Sequence, residues 1–384
     1  MHESATHPAV KLASRLIGIS SENPDVLESE IIRYISGWLK EASVEHHLQE
    51  VAPGRHNLIA TVRGRGQRKV LTLIAHCDTV PVGSGWTRDP FAGTIEDGRL
   101  YGRGASDMKG GLAAALYAVR EALHHGPPPG DVTVIVSVDE EGPGMLGVIA
   151  AIEGGYVDAS TMVIAPEPTS LNIVRKHRGV MWYDVVARGK MSHAGHAERG
   201  VDANHALAEA ICELKAAVNA IPFNDPLVGG ALLSIGKMGG GTKTNVVPNM
   251  ARAEIDFRVP PPMTAEHAAL LVKKAVWRGV ARVPGASAEV THLGLQRPPV
   301  ETPEDAPVVG LLANGCETVT GRLPKILGYV AYTDAAVVSW LCGNRNAVLF
   351  GPGNLEQAHS IDEWAPADEI AQCAEIFKRC ALGL

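Results

Sequence analysis

The chain has 384 residues, 46% of them apolar and 20% charged, with a formal net charge of −7 at pH 7. Such a length fits two domains or one large one, and the mild acidity argues against nucleic acid or an anionic membrane as the main partner. No apolar run reaches the roughly 18 residues of a membrane span, and "MHESATHPAVKLASRL" has no apolar leader core. The six cysteines form no CxxC pair and read as reduced thiols, so the expectation is a cytoplasmic protein without a membrane partner.

In chain order, "KVLTLIAH" reads as a strand, "MKGGLAAALYAVREALHH" as a helix, and "DVTVIVSVDE" as a strand. "MLGVIAAIEGG" follows as a helix and "TMVIAPE" as a strand. Near-continuous apolar strands alternating with helices predict a mostly parallel sheet covered on both faces. The middle of the chain differs. "VMWYDVVARG", "ALLSIGKM", "ARAEIDFRV" and "ASAEVTHLGL" read as strands, and the third alternates cleanly between apolar and charged residues, as a sheet with one wet face does. With helices over "DANHALAEAICELKAAVNAI" and "AEHAALLVKKAVWRGV" the order is βαββαβ, a ferredoxin-like α+β unit. From about residue 306 the first pattern resumes and closes on the helix "ADEIAQCAEIFKRCAL". The predicted organisation is an α/β domain formed by residues 1–177 and 294–384, with an inserted domain at 178–293.

The chemistry sits where the first-domain strands end. His76 and Asp78 lie two apart and share a face. Alone, such a pair reads more simply as a core histidine with an acid beside it. Asp107 follows the glycine-rich turn "YGRGASD", where Ser106 or Asp107 would also serve as a helix cap. The strand "DVTVIVSVDE" runs into three consecutive acids, "DEE", which repel one another unless they are solvated or hold cations. Glu167 ends the strand "TMVIAPE", and His359 lies on a loop after a later one. Together His76, Asp107, Glu140, Glu141, Glu167 and His359 are expected at the carboxyl ends of strands in one sheet, the edge where open α/β sheets bind ligands. Two histidines with several carboxylates and no thiolate suit Zn²⁺, Co²⁺ or Mn²⁺. More acids than one ion needs point to two divalent ions about 3.5–4 Å apart with a bridging carboxylate.

At this point the chain resembles the M20 metallopeptidases and deacylases, the group of acetylornithine deacetylase, succinyl-diaminopimelate desuccinylase, aminoacylase and glutamate carboxypeptidase. The resemblance is carried by "AHCDTVP", "DPFAGTIEDGRLYGRGASDMKGG", "DEEGPG", "APEPTS", "GKMSHAGHAERGVDA", "GGGTKTNVVPNMARAEIDFRV", "YTDA" and "AHSIDEW", in the family's order and across nearly the whole chain. It implies a zinc-peptidase-like catalytic domain and an inserted lid that pairs two subunits into a homodimer. His76 and Glu167 would hold one metal, Glu141 and His359 the other, and Asp107 would bridge them. Asp78 would orient His76, and Glu140 would be the general base. His193 would stabilise the oxyanion, reaching the partner subunit's site, while Asn245 and Arg258 would lie near a substrate carboxylate. Arg297 is a looser match for a second carboxylate contact. Read without the family, Arg258 is a surface partner for Glu254 or Asp256. Tyr332 stands where the family often has glycine, and it would narrow the pocket or stack on an aromatic substrate.

The reaction implied is hydrolysis of an amide beside a carboxylate, in an N-acyl amino acid or a small peptide. Two competing readings keep the same site: a hydrolytic deaminase of an aromatic amino acid, and a metal-stabilised binding protein without catalysis.

Overall fold

Leu71–His76 is apolar at every position except Thr72 and the final histidine, the composition of a strand covered on both faces. In the computed structural model, which describes residues 7–66 and 69–383 (backbone alone at 69 and 70), Lys69–His76 is an inner strand of a nine-stranded sheet. Residues 1–6, part of the stretch read for a leader, lie outside the described residues. Contacts divide the chain into two units. One is Met1–Arg175 with Glu301–Leu327 and Thr333–Leu384; the other is Lys176–Val300 with Gly328–Tyr332.

The large sheet runs His46–Ala52, Arg55–Val62, Asp131–Ser137, Lys69–His76, Met162–Ala165, Ala347–Leu349, Ile173–His177 and Val300–Glu301, with Ile326–Tyr329 paired to Ile173–His177 off that path. Its four middle strands, Asp131–Ser137, Lys69–His76, Met162–Ala165 and Ala347–Leu349, are mutually parallel. The hairpin His46–Ala52/Arg55–Val62 and the strand Ile173–His177 flank them antiparallel. The parallel block matters for function, because it delivers four carboxyl-terminal strand ends to one edge.

Alternation along these strands sends side chains to two covered faces. Leu58, Ala60, Leu71, Leu73, Val134 and Ile164 belong to a core shared with the helices Pro8–Ile17, Ser29–Glu41, Gly110–His124, Pro307–Thr320 and Ala367–Leu382. The other face is covered by Leu146–Glu153 and Asp334–Leu341. The first two of these helices and the edge hairpin lie ahead of the first strand expected from the pattern. A separate three-stranded sheet joins Ile95–Glu96, Arg99–Tyr101 and Trp364–Pro366.

The second unit is built on a four-stranded antiparallel sheet, ordered Leu232–Gly240, Met250–Val259, Gly179–Arg188, Ser287–Arg297. Met181, Tyr183, Val185 and Ala187 alternate with Trp182, Asp184, Val186 and Arg188, so the first set packs under the helices Ala203–Asn219 and Ala265–Val280. The chain order of these six elements is βαββαβ. No described helix is long and apolar enough to cross a membrane.

Candidate metal centre and active site

Five of the six candidate residues lie at or beyond the ends of the parallel strands. His76 is the last residue of its strand, Glu140 and Glu141 follow Asp131–Ser137, Glu167 follows Met162–Ala165, and His359 lies on the loop after Ala347–Leu349. Asp107 departs from the sequence expectation. It does not end a strand of the main sheet but follows Arg99–Tyr101 of the small sheet, in a kinked turn before the helix Gly110–His124. Nor does it cap that helix, whose amino-terminal cap position is Lys109. The turn approaches Glu167 closely because Gly111 has no side chain; a Cβ there would lie 2.1 Å from the Pro166 carbonyl oxygen.

The convergence is tight. His76, Asp107 and Glu167 each offer a ligand atom within 4.8 Å of the others, and so do Asp107, Glu141 and His359. Asp107 belongs to both sets. Its Oδ1 lies 3.2 Å from His76 Nε2 and its Oδ2 lies 3.5 Å from His359 Nε2. His359 Nε2 is 3.0 Å from Glu141 Oε1. Glu140 stands beside the first set without joining it, with its Oε2 4.0 Å from His76 Nε2. His76 and Glu167 are buried, whereas the His359 side chain is 53% exposed, so the cluster opens to solvent on the His359 side.

Asp78 does two things. Its main-chain carbonyl accepts from His76 Nδ1 at 2.9 Å, which leaves the Nε2 lone pair facing Asp107. Its carboxylate lies farther from the imidazole, 3.6 Å away. That carboxylate instead accepts the backbone N–H of Glu140 at 3.3 Å and of Glu141 at 3.1 Å, together with the Asn23 amide at 2.9 Å. Asp78 therefore orients the histidine through its backbone and the acidic turn through its side chain. The first acid of "DEE" is relieved separately. Asp139 takes a left-handed conformation that aspartate tolerates, and its carboxylate meets Arg55 at 2.8 Å and Asn23 at 3.1 Å. Arg55 also pairs with the buried Glu28.

The electrostatics follow from burying so many acids together. Burial pushes Glu140 well above the ordinary carboxylate range; His76 eases this, and Glu167, Asp334 and Glu141 add to it. Glu167 is likewise pushed well up, by burial and then by Asp107. Burial also raises Glu141, with Asp107 adding to it and His359 opposing. Asp107 goes the other way: burial would raise it, but the hydrogen bond and charge of His76, then the charge of His359, hold it low. Burial would lower His76, yet Asp107, Glu140 and Glu167 hold it well above its usual value. Asp334, buried with its Oδ2 accepting from Ser137 Oγ at 2.6 Å, is pushed up to about 6 by burial. Anions arranged this way charge reluctantly on their own and readily around divalent cations.

The remaining candidates lie in the second unit. His193 and Asn245 are neighbours: Ser192–His193 pairs with Val246–Val247, and the Asn245 carbonyl accepts the Ala194 N–H at 3.0 Å. Both side chains are exposed, and His193 Nδ1 accepts the Gly195 N–H at 3.0 Å. Arg258 makes the pair with Asp256 that a surface reading anticipates, with its Nε 2.8 Å from Oδ1 and its Nη2 3.0 Å from Oδ2, and also donates to the Val330 carbonyl. Arg258 and Arg297 flank Val180 from opposite sides in the strand register, so the two cations share a row on the sheet's outer face. The Arg297 guanidinium lies 5.7 Å from the Trp182 ring centroid. Tyr332 stands edge-on to His177, with centroids 6.3 Å apart, and burial raises its phenol.

Several residues at the site are not evident from motif spacing. Asn23, Glu28 and Arg55 come from the first 66 residues, where no chemical pattern marks them. Arg103 and Glu363 form a buried ion pair at 2.7 Å behind Asp107. Glu363 carries a faint signal, being the acid of "AHSIDEW", four residues after His359.

Two imidazoles and three carboxylates in two triads sharing one acid fit a pair of borderline or hard divalent ions. Comparison with known proteins agrees with that class. The profile of peptidase family M20/M25/M40 matches residues 72–383. An acetylornithine deacetylase of Pectobacterium carotovorum subsp. carotovorum is 30% identical over 380 residues, covering 96% of this chain and 94% of its own. Among solved structures, the aminopeptidase PepT of Bacillus cereus superposes with a TM-score of 0.77 at 24% identity, over 97% of both chains. The Bacillus subtilis YXEP protein, described as a dinuclear metal binding peptidase of family M20, gives 0.73 at 18% identity, over 97% of this chain and 96% of that one. The chain belongs to the M20 family of peptidases and deacylases. It is a metal-dependent hydrolase acting on amide bonds.

Proposed function

We propose that this protein removes the acyl group from an N-acyl amino acid, or cleaves a small peptide, in either case at an amide near a free carboxylate. The observation that carries the reading is the pair of triads, His76–Asp107–Glu167 and Asp107–Glu141–His359, joined through Asp107. In this reading His76 and Glu167 hold one divalent ion, Glu141 and His359 the other, and Asp107 bridges them. Zn²⁺ is the first choice, with Co²⁺ or Mn²⁺ as alternatives. Bound there, the ions would acidify a shared water towards neutrality and polarise the amide carbonyl.

The protein groups divide the rest of the work. Glu140 lies beside the cluster but outside both triads, free to take a proton and return it to the leaving nitrogen. Its raised affinity for a proton, caused first by burial, suits that double role. Asp78 keeps His76 in the tautomer with a free Nε2 and holds the Glu140–Glu141 backbone. We assign His193 to the oxyanion, Arg258 and Arg297 to the substrate carboxylate, and Asn245 and Tyr332 to the substrate's remaining contacts. The row formed by Arg258 and Arg297 supports the carboxylate assignment. Deacylation is favoured over peptide cleavage because the relative 30% identical to this chain is an acetylornithine deacetylase. A homodimer is proposed through the second unit, whose edge strand Leu232–Gly240 is largely exposed and offers unpaired backbone.

The deciding experiment is a screen of N-acetyl, N-succinyl and N-formyl amino acids and dipeptides with defined metals. Turnover should vanish on chelation and return with Zn²⁺, Co²⁺ or Mn²⁺. A metal-loaded protein that hydrolyses no member of the panel would overturn the proposal.

A further inference from the structure

We propose that Glu363 is a positioning residue, which fixes the turn carrying Asp107 by occupying that turn's backbone donors and so aims the Asp107 carboxylate at both triads. The inference rests on the two-metal reading above and concerns a residue outside both triads.

An aspartate in the turn before a helix ordinarily caps N–H groups two or three residues ahead. Asp107 does not. The N–H groups of Ser106 and Asp107 are taken by Glu363 Oε1, at 2.9 Å and 3.0 Å. Its Oε2 accepts the Gly104 N–H at 3.0 Å and Arg103 Nη1 at 2.7 Å. Each oxygen thus has two donors, and the carboxylate is fully buried. Burying a charge so completely is costly unless it is paired and hydrogen-bonded, so an uncompensated group at 363 would not hold this geometry. With its turn held in this way, Asp107 sends one oxygen towards His76 and the other towards His359.

Glu363 also joins two pieces of chain that are distant in sequence. It ends the segment that carries His359, and Arg103, its partner, donates to the Ser360 carbonyl at 3.2 Å. The Gly102 N–H is given to the Glu363 carbonyl at 2.9 Å. One carboxylate therefore fixes the turn carrying the shared acid against the loop carrying the exposed histidine. A glutamine at 363 would turn its oxygen to Arg103 and present an NH₂ to the Ser106 and Asp107 donors. The turn carrying Asp107 would then lose the acceptor that holds its Ser106 and Asp107 N–H groups.

The test is competition titration of Co²⁺ against a chelator, read by its visible absorption, on metal-free wild type and Glu363→Gln. Wild type should bind two ions, and the variant should bind both about 10–100-fold more weakly. A purely structural role would instead lower the melting temperature of the metal-free protein and leave the folded protein's affinities unchanged. Affinities within twofold of wild type would overturn the proposal. Should Glu363→Gln fail to fold, Arg103→Met/Glu363→Met removes both buried charges and every acceptor, and the same weakening is expected; native affinity in that protein overturns the proposal equally. Fewer than two ions on wild type would be a different failure, that of the dinuclear reading.

Discussion

The carboxylate of Asp78 accepts the backbone N–H of Glu141 at 3.1 Å, while the Asp78 carbonyl, on the same residue, receives His76 Nδ1 at 2.9 Å. One aspartate thus sets the position of a histidine from one triad and an acid from the other. Asp78→Asn keeps the carbonyl and spoils the carboxylate, because its NH₂ faces backbone donors. The expected result is kcat reduced by about 10–100-fold, with the His76 site still binding metal. Turnover equal to wild type would show that the acidic turn holds itself.

Glu140→Gln removes the proposed base and keeps the shape. Turnover should fall by about 10²–10⁴, while metal content measured by elemental analysis stays at the wild-type value. Loss of metal in parallel with activity would make Glu140 a ligand and leave the base unassigned.

Gly111→Ala tests the close approach that brings the Asp107 turn to Glu167. A Cβ there would lie 2.1 Å from the Pro166 carbonyl oxygen, which is backbone and cannot yield without moving the next residue, Glu167. Overpacking of this kind costs about 1–3 kcal/mol, measurable as a lower urea midpoint in the metal-free protein. Metal affinity should fall as well. A variant as stable as wild type would mean that the loop adapts.

His177 gives the chain a pH dependence separate from the metal centre. Burial lowers its pKa from 6.5 to about 3 in the folded protein. The unfolded chain takes up a proton below pH 6.5 and the folded one does not, so stability present above pH 6.5 is lost progressively as pH falls towards 3. Within that window the slope approaches 1.4 kcal/mol per pH unit, about 2 kcal/mol between pH 6.5 and 5. Urea unfolding in the presence of chelator should show His177→Gln losing less stability than wild type over that range. Parallel losses would place the acid sensitivity elsewhere.

Much of this architecture was legible in the pattern of residues, and the gaps have physical causes. The apolar runs ending in His76, in "DEE" and in "IAPE" mark parallel strands because burial on both faces leaves little choice of residue. The alternation in "ARAEIDFRV" shows a one-sided sheet for the converse reason. Asp107 was harder, since the glycine-rich turn reads equally as a helix cap; only the third dimension reveals that Glu363 holds the backbone of that turn. Asn23, Arg55 and Glu28 left no trace, because hydrogen bonds between side chains far apart along the chain impose no spacing on the sequence. Arg258 shows the limit from the other side: its polar strand position gives the bond to Asp256, and only family resemblance gives it a substrate.

The central claim is that residues separated by up to 283 positions, His76 to His359, gather two metal ions around Asp107. Anomalous diffraction from crystals grown with Zn²⁺ or Co²⁺ tests this most directly. The account predicts two peaks about 3.5–4 Å apart, one between His76 and Glu167, the other between Glu141 and His359, with Asp107 touching both. A single peak, or ions bound away from these five side chains, would contradict it.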